Sequence, residues 1–148
     1  MKINNSVLEN RTYCLSIILK GSFFLIYYVA KQNYDIESKL TEDETVELLM
    51  KFLKSDGYEI IDYCKGHKRG IDMTAEKDSK QLLIEVKGAR AKHDSKIKKR
   101  PYFNSGQIKG HFGKAIIKSL EVKTDYPGST IAIAHPNDEM IKKHQKIS

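Results

Sequence analysis

At 148 residues, with 40% hydrophobic and 30% charged side chains, the chain is long enough to bury a core and too apolar to be disordered. Lys and Arg outnumber Asp and Glu by 26 to 19, and the net charge of +7 favours a polyanionic partner without specifying one. The cysteines, Cys14 and Cys64, belong to no CxxC pattern, which argues against a disulfide framework and for a reducing, cytoplasmic setting. Cys64 and His67 have ligand-like spacing, but no second Cys/His pair completes a zinc site.

The first apolar segment runs from Tyr13 to Ala30, interrupted by Lys20 and small residues. A membrane helix needs about 20 mostly apolar residues, and a central Lys costs about 2.5–3.5 kcal/mol on insertion scales. A membrane association is therefore not expected, and no small-x-small cleavage site marks a signal peptide. The β-branched and aromatic content on both sides of Lys20-Gly21 predicts a strand pair packed on the domain. Residues 1–39 are read as an apolar N-terminal extension, packed β-structure or alternatively a membrane or targeting segment, and 40–148 as the main domain.

A capping-box pattern, Thr41 with Glu44, opens a predicted helix whose stripe is Val46, Leu49, Met50 and Leu53 and whose stop is Gly57. Tyr58 to Cys64 then reads as a strand. The stretch "GIDMTAEKDSKQLLIEVKG", Gly70 to Gly88, reads as a hairpin about the two-residue turn Asp78-Ser79. In that register Ile71 faces Val86, Met73 faces Ile84 and Ala75 faces Leu82, which makes one face wholly apolar. The other face sets Asp72 opposite Glu85, with Lys87 two residues on.

Two carboxylates opposite each other, with Cβ atoms about 5 Å apart, repel unless something compensates. A hard divalent cation would, since Mg²⁺ or Mn²⁺ takes oxygen ligands from carboxylates, waters and phosphates, and Lys87 could then hold an attacking water. The bland alternative is a solvated strand face in a lysine-rich chain. From Lys87 to Arg100 the sequence "KGARAKHDSKIKKR" carries eight basic or potentially basic residues against the single acid Asp94. Beside a carboxylate pair this run reads as a grip on a phosphate backbone, through Arg90, Lys92, Lys96, Lys98, Lys99 and Arg100.

A second helix is predicted from about Ser105 to Val122. Ile108, Phe112, Ala115, Ile116 and Ser119 lie on one side of it, and Gln107, His111, Lys114 and Lys118 recur along another. Lys109, His111 and Lys114 are candidate nucleic-acid contacts. The strand "STIAIAHP" and a short helix capped by Asn137 complete an α-β-β-β-α-β-α order with no internal repeat.

From about Leu40 to Pro136 the chain resembles the restriction-endonuclease-like superfamily, the PD-(D/E)xK nucleases. The resemblance lies in "GIDM" with Asp72, "IEVKG" with Glu85 and Lys87, and the helix opening "SGQIKGHFGKAI". It implies an α/β fold with an αβββαβ core, a mixed central sheet flanked by helices, and Mg²⁺- or Mn²⁺-dependent phosphodiester hydrolysis, with DNA as the expected substrate. It further implies Asp72 and Glu85 as metal ligands, a Val86 carbonyl as a third, Lys87 positioning water, and Gln107 near the site. A first-helix glutamate is common at such sites, and Glu47, at the edge of the buried face, is the candidate, because Glu44 is accounted for by capping. Ile71 stands where many members carry Pro.

Alternative readings are a structure-selective nuclease, a silent nuclease-fold module that binds nucleic acid or regulates a partner nuclease, and a membrane-associated accessory protein. A homodimer and a separate target-recognition partner are further expectations, because no helix-turn-helix or zinc ribbon is evident in the sequence.

Overall fold

The computed structural model describes residues 13–19, 22–29, 39–64, 70–91 and 102–144. Their order is β1 (Tyr13–Leu19), β2 (Ser22–Val29), α1 (Glu42–Ser55), β3 (Glu59–Tyr63), β4 (Met73–Lys77), β5 (Lys80–Val86), α2 (Ser105–Asp125), β6 (Thr130–Pro136) and α3 (Glu139–His144). The six strands form one mixed sheet in the order β1-β2-β6-β5-β4-β3. Strand β6 runs parallel to both β2 and β5, and the other neighbours are antiparallel. The apolar segment around Lys20-Gly21 is the β1–β2 hairpin, and among the described residues no helix is long and apolar enough to cross a membrane.

Helix α1 begins as its sequence dictates. Thr41 Oγ1 accepts from the Glu44 amide and Glu44 Oε2 accepts from the Thr41 amide, so two otherwise orphaned donors are satisfied reciprocally. The helix ends where the Asp56 amide bonds back to Phe52 and Leu53 and Gly57 takes φ +88°. Val46, Leu49 and Leu53 bury against Met73, Ala75, Leu82, Ile84, Val86, Ala132 and Ala134 of the sheet. On the opposite face, α2 covers Leu83 and Ile131 through Leu120 and Val122, while Ile108 and Phe112 pack with Ile26 and Tyr28.

The β4–β5 register is the expected one from Met73↔Ile84 to Lys77↔Lys80, around a turn in which Asp78 and Ser79 have φ of 52° and 60°. Positive φ at both central residues is the type I′ pattern that matches strand twist. Ile71 departs from the expectation. The ladder stops at Met73, because the Asp72 side chain takes the Val86 amide, and Ile71 packs with Leu83 and Ile131 on the α2 face. Helix α3 is capped by Asp138 and not by Asn137, since Asp138 Oδ1 accepts from the Met140 and Ile141 amides.

Candidate active site

The site forms where the β4–β5 pairing ends. Asp72 Oδ2 accepts from Val86 N at 2.7 Å, and the Asp72 carbonyl accepts from Cys64 N at 2.8 Å. Held in this way, the Asp72 carboxyl lies within hydrogen-bonding reach of Glu85. Burial first, and then the Glu85 charge, raise the Asp72 pKa from 3.8 to about 7, although the Val86 amide and Lys118 pull it down. The residues expected to face each other therefore converge, and Asp72 gives up its proton only near neutrality.

Glu85 is 7% exposed and meets a lysine at each oxygen. Lys87 Nζ lies 2.6 Å from Oε1 and Lys118 Nζ lies 2.5 Å from Oε2. The second approach is poorly directed, so Oε2 remains buried without a well-formed hydrogen bond. Lys118 also donates to the Gly70 carbonyl at 2.6 Å. Burial pulls the Lys87 ammonium down, but the Glu85 hydrogen bond and charge, with Glu42 and Asp72, outweigh it and leave the pKa above 10.5. Lys87 is therefore a cationic donor at neutral pH and not a base.

A cleft of about 280 Å³ opens from Lys87 between the start of α1 and the first turns of α2, lined by Glu42, Arg90, Phe103, His111 and Lys114 among others. Gly88 allows this closeness: a Cβ there would stand 2.6 Å from the Glu42 amide nitrogen. The Ala89 amide donates to the Leu40 carbonyl at 2.8 Å and ties the end of β5 to the residues before α1. Burial, then Lys87 and Lys114, lower the His111 pKa, so His111 contributes an imidazole to this wall and not a fixed charge. Its ring meets Phe103 edge-on at 4.5 Å.

The other expected residues are placed as follows. Gln107 completes a capping box on α2: its Oε1 accepts from the Asn104 amide and its own amide donates to Asn104 Oδ1. Glu47 is on the exposed side of α1 and Lys109 on the exposed side of α2, whereas Glu42 and Glu44 face the β5 end. Arg90 Nη2 donates to both Glu44 oxygens at 3.2 Å, which joins the cleft wall to the α1 cap. Lys92, Lys96, Lys98, Lys99, Arg100 and His67 lie outside the described residues.

Sequence reasoning assigned no role to Lys118, Glu42 or His135. Lys118 stood in the recognised polar stripe, and Glu42 in an acidic first turn, but neither pattern names a partner across the fold. His135 alternates onto the α2 face of β6 beside Phe112, at 5.5 Å between ring centres. It is 1% exposed, with no hydrogen-bond partner for either nitrogen among the described residues, and burial followed by the charges of Lys87 and His111 lowers its pKa to about 3.

Among the described residues no group of three or more His, Cys, Asp or Glu side chains converges as a metal centre. The pair nonetheless fits a hard divalent ion on three observations: a half-buried carboxyl within reach of a buried one, an elevated Asp72 pKa, and a Glu85 oxygen lacking a well-directed donor among the described residues. Because a strand residue turns its carbonyl to the same side as its amide, Val86 also presents an oxygen toward the Asp72 end. No described protein family matches the chain, and no curated protein matches it.

Proposed function

We propose that the chain is a divalent-metal-dependent nuclease that hydrolyses phosphodiester bonds, with DNA as substrate. The observation that carries this reading is the convergence of Asp72 and Glu85 at a strand end, with Lys87 on the same face and at the mouth of a cationic cleft. The resemblance of "GIDM" and "IEVKG" to the PD-(D/E)xK nucleases supports it by analogy. Asp72, Glu85 and the Val86 carbonyl would hold Mg²⁺ or Mn²⁺. Once bound, the ion would lower the pKa of a water and draw charge from the phosphate.

The chain's own groups do the rest. Lys87, kept protonated, donates a hydrogen bond to the attacking water or to a phosphate oxygen and cannot itself take the proton. Lys114 and the basic run after Gly88 neutralise the backbone, contacts that position the substrate but carry little sequence information. Gln107 is engaged in its capping box and Glu47 lies on the exposed side of α1, so neither takes part in this account.

A second reading has one observation in its favour. Lys87 and Lys118 already neutralise Glu85, so the constellation can persist as a nucleic-acid-binding module that does not cut. Incubating pure protein with labelled duplex, single-stranded and branched DNA, in Mg²⁺ or Mn²⁺ and in EDTA, separates them. Metal-dependent products support the nuclease. Salt-dependent binding without products under any metal supports the silent module.

A further inference from the structure

The polar face of α2 places Lys118 where its ammonium bridges two elements. It lies 2.5 Å from Glu85 Oε2 and donates to the Gly70 carbonyl at 2.6 Å. Both acceptors border the Asp72–Glu85 pair, and Gly70 precedes Asp72 by two residues. An ammonium there does part of what a metal ion would do, because it relieves the repulsion between the buried Glu85 carboxyl and the half-buried Asp72 carboxyl.

Two features make the arrangement exchangeable. The contact with Oε2 is close but poorly directed, so a ligand with better geometry gains more from that oxygen. The Lys118 side chain is 35% exposed, whereas Glu85 is 7% exposed, so the lysine has a far wider route to water than the carboxylate.

We infer that Lys118 is a built-in counter-ion that competes with the divalent metal for Glu85 and must leave Oε2 when the metal enters. This inference rests on the nuclease reading and adds to it a positioning residue that sets metal affinity. Lys87, on the other oxygen, stays in place because its side chain is only 19% exposed and its ammonium makes a well-directed hydrogen bond to Oε1. Lys118 hangs from a separate helix and can rotate away with its rotamers.

The test is Mn²⁺ affinity, read from the free-ion paramagnetic resonance signal at pH 8, for wild type, Lys118→Met and Lys118→Arg. Removing the charge should tighten binding by roughly tenfold or more, and Lys118→Arg should leave it near wild type. An affinity for Lys118→Met that is equal to or weaker than wild type overturns the competition while leaving the metal reading intact. Absence of Mn²⁺ binding in every protein overturns both. A second measurement needs no variant: amine-reactive labelling of Lys118, quantified by mass spectrometry in wild type, should rise when Mn²⁺ saturates the site. Unchanged labelling at saturation also overturns the proposal.

Discussion

The two faces of the sheet come from the same strands by alternation, yet they serve different ends. The α1 face is closed by Val46, Leu49 and Leu53 on apolar strand residues, and it reads as a core. The α2 face begins in the same way, at Leu83 and Ile131, and then changes along the strands to Glu85, Lys87 and His135, with Asp72 and Lys118 beside them. Removing an apolar group on the first face leaves a void, whereas removing a charged group on the second changes what the remaining charges do. The charged cluster is thus confined to one face of the sheet, beside an apolar core that both faces share.

Leu49→Ala should open a cavity on the α1 face and cost about 2–5 kcal/mol, read by denaturant midpoint at constant slope. Under the proposed function, Lys87→Ala should lower that midpoint less than Leu49→Ala does, because Lys118 still faces Glu85. It should lower cleavage by about 100- to 1000-fold, with nucleic-acid affinity preserved. If Lys87→Ala unfolds the chain as readily as Leu49→Ala, the division between the faces fails.

The pH dependence sharpens the contrast within the α2 face, because Asp72 and His135 have opposite signs. Asp72 keeps its proton up to about pH 7 when folded but loses it near 3.8 when unfolded, so its contribution to stability falls as pH rises through that window. His135 stays neutral down to about 3 when folded but takes a proton near 6.5 when unfolded, so its contribution is complete above that value and is lost as pH falls. In the wild type the two partly cancel. Thermal melts from pH 4 to 8 should show His135→Leu flattening the acid-side loss, which approaches about 1.4 kcal/mol per pH unit for one group. Asp72→Asn should remove the decline that Asp72 causes between about pH 4 and 7. Mn²⁺ should raise the wild-type melting temperature more at pH 8 than at pH 5.5, and should not do so in Asp72→Asn.

The smallest effect belongs to neither face. Ser79 occupies φ 60° in the β4–β5 turn, a region that a side chain resists, and Ser79→Gly should stabilise the fold by about 0.5–1 kcal/mol. A loss of stability would mean that the Ser79 side chain contributes a contact beyond the turn geometry.

The hairpin was legible because a period-two pattern and a two-residue turn leave few registers, and the α1 cap because Thr41 and Glu44 are three residues apart. The Lys118–Glu85 contact was not, since it joins a helix to a strand through packing that no local pattern encodes. Helical angle pointed to Glu47, but the approach of Gly88 to the start of α1 makes Glu42 the acid at the cleft. Gln107 carried a signal that resemblance obscured: Asn104 three residues earlier already offered it a capping role.

The position of β6 has a consequence for how the chain is made. It pairs with β2 on one side and β5 on the other, so the two parallel seams of the sheet wait for a strand that follows every other described strand in sequence. During synthesis the β1–β2 hairpin and the β3–β4–β5 meander can each form by local contacts, but they remain separate pieces until β6 emerges and joins them. Apolar residues such as Ile26, Tyr28 and Leu83, buried in the finished sheet, would face solvent throughout that interval. Chaperone dependence and aggregation during expression should therefore respond to substitutions in β6 more strongly than equilibrium stability alone would indicate.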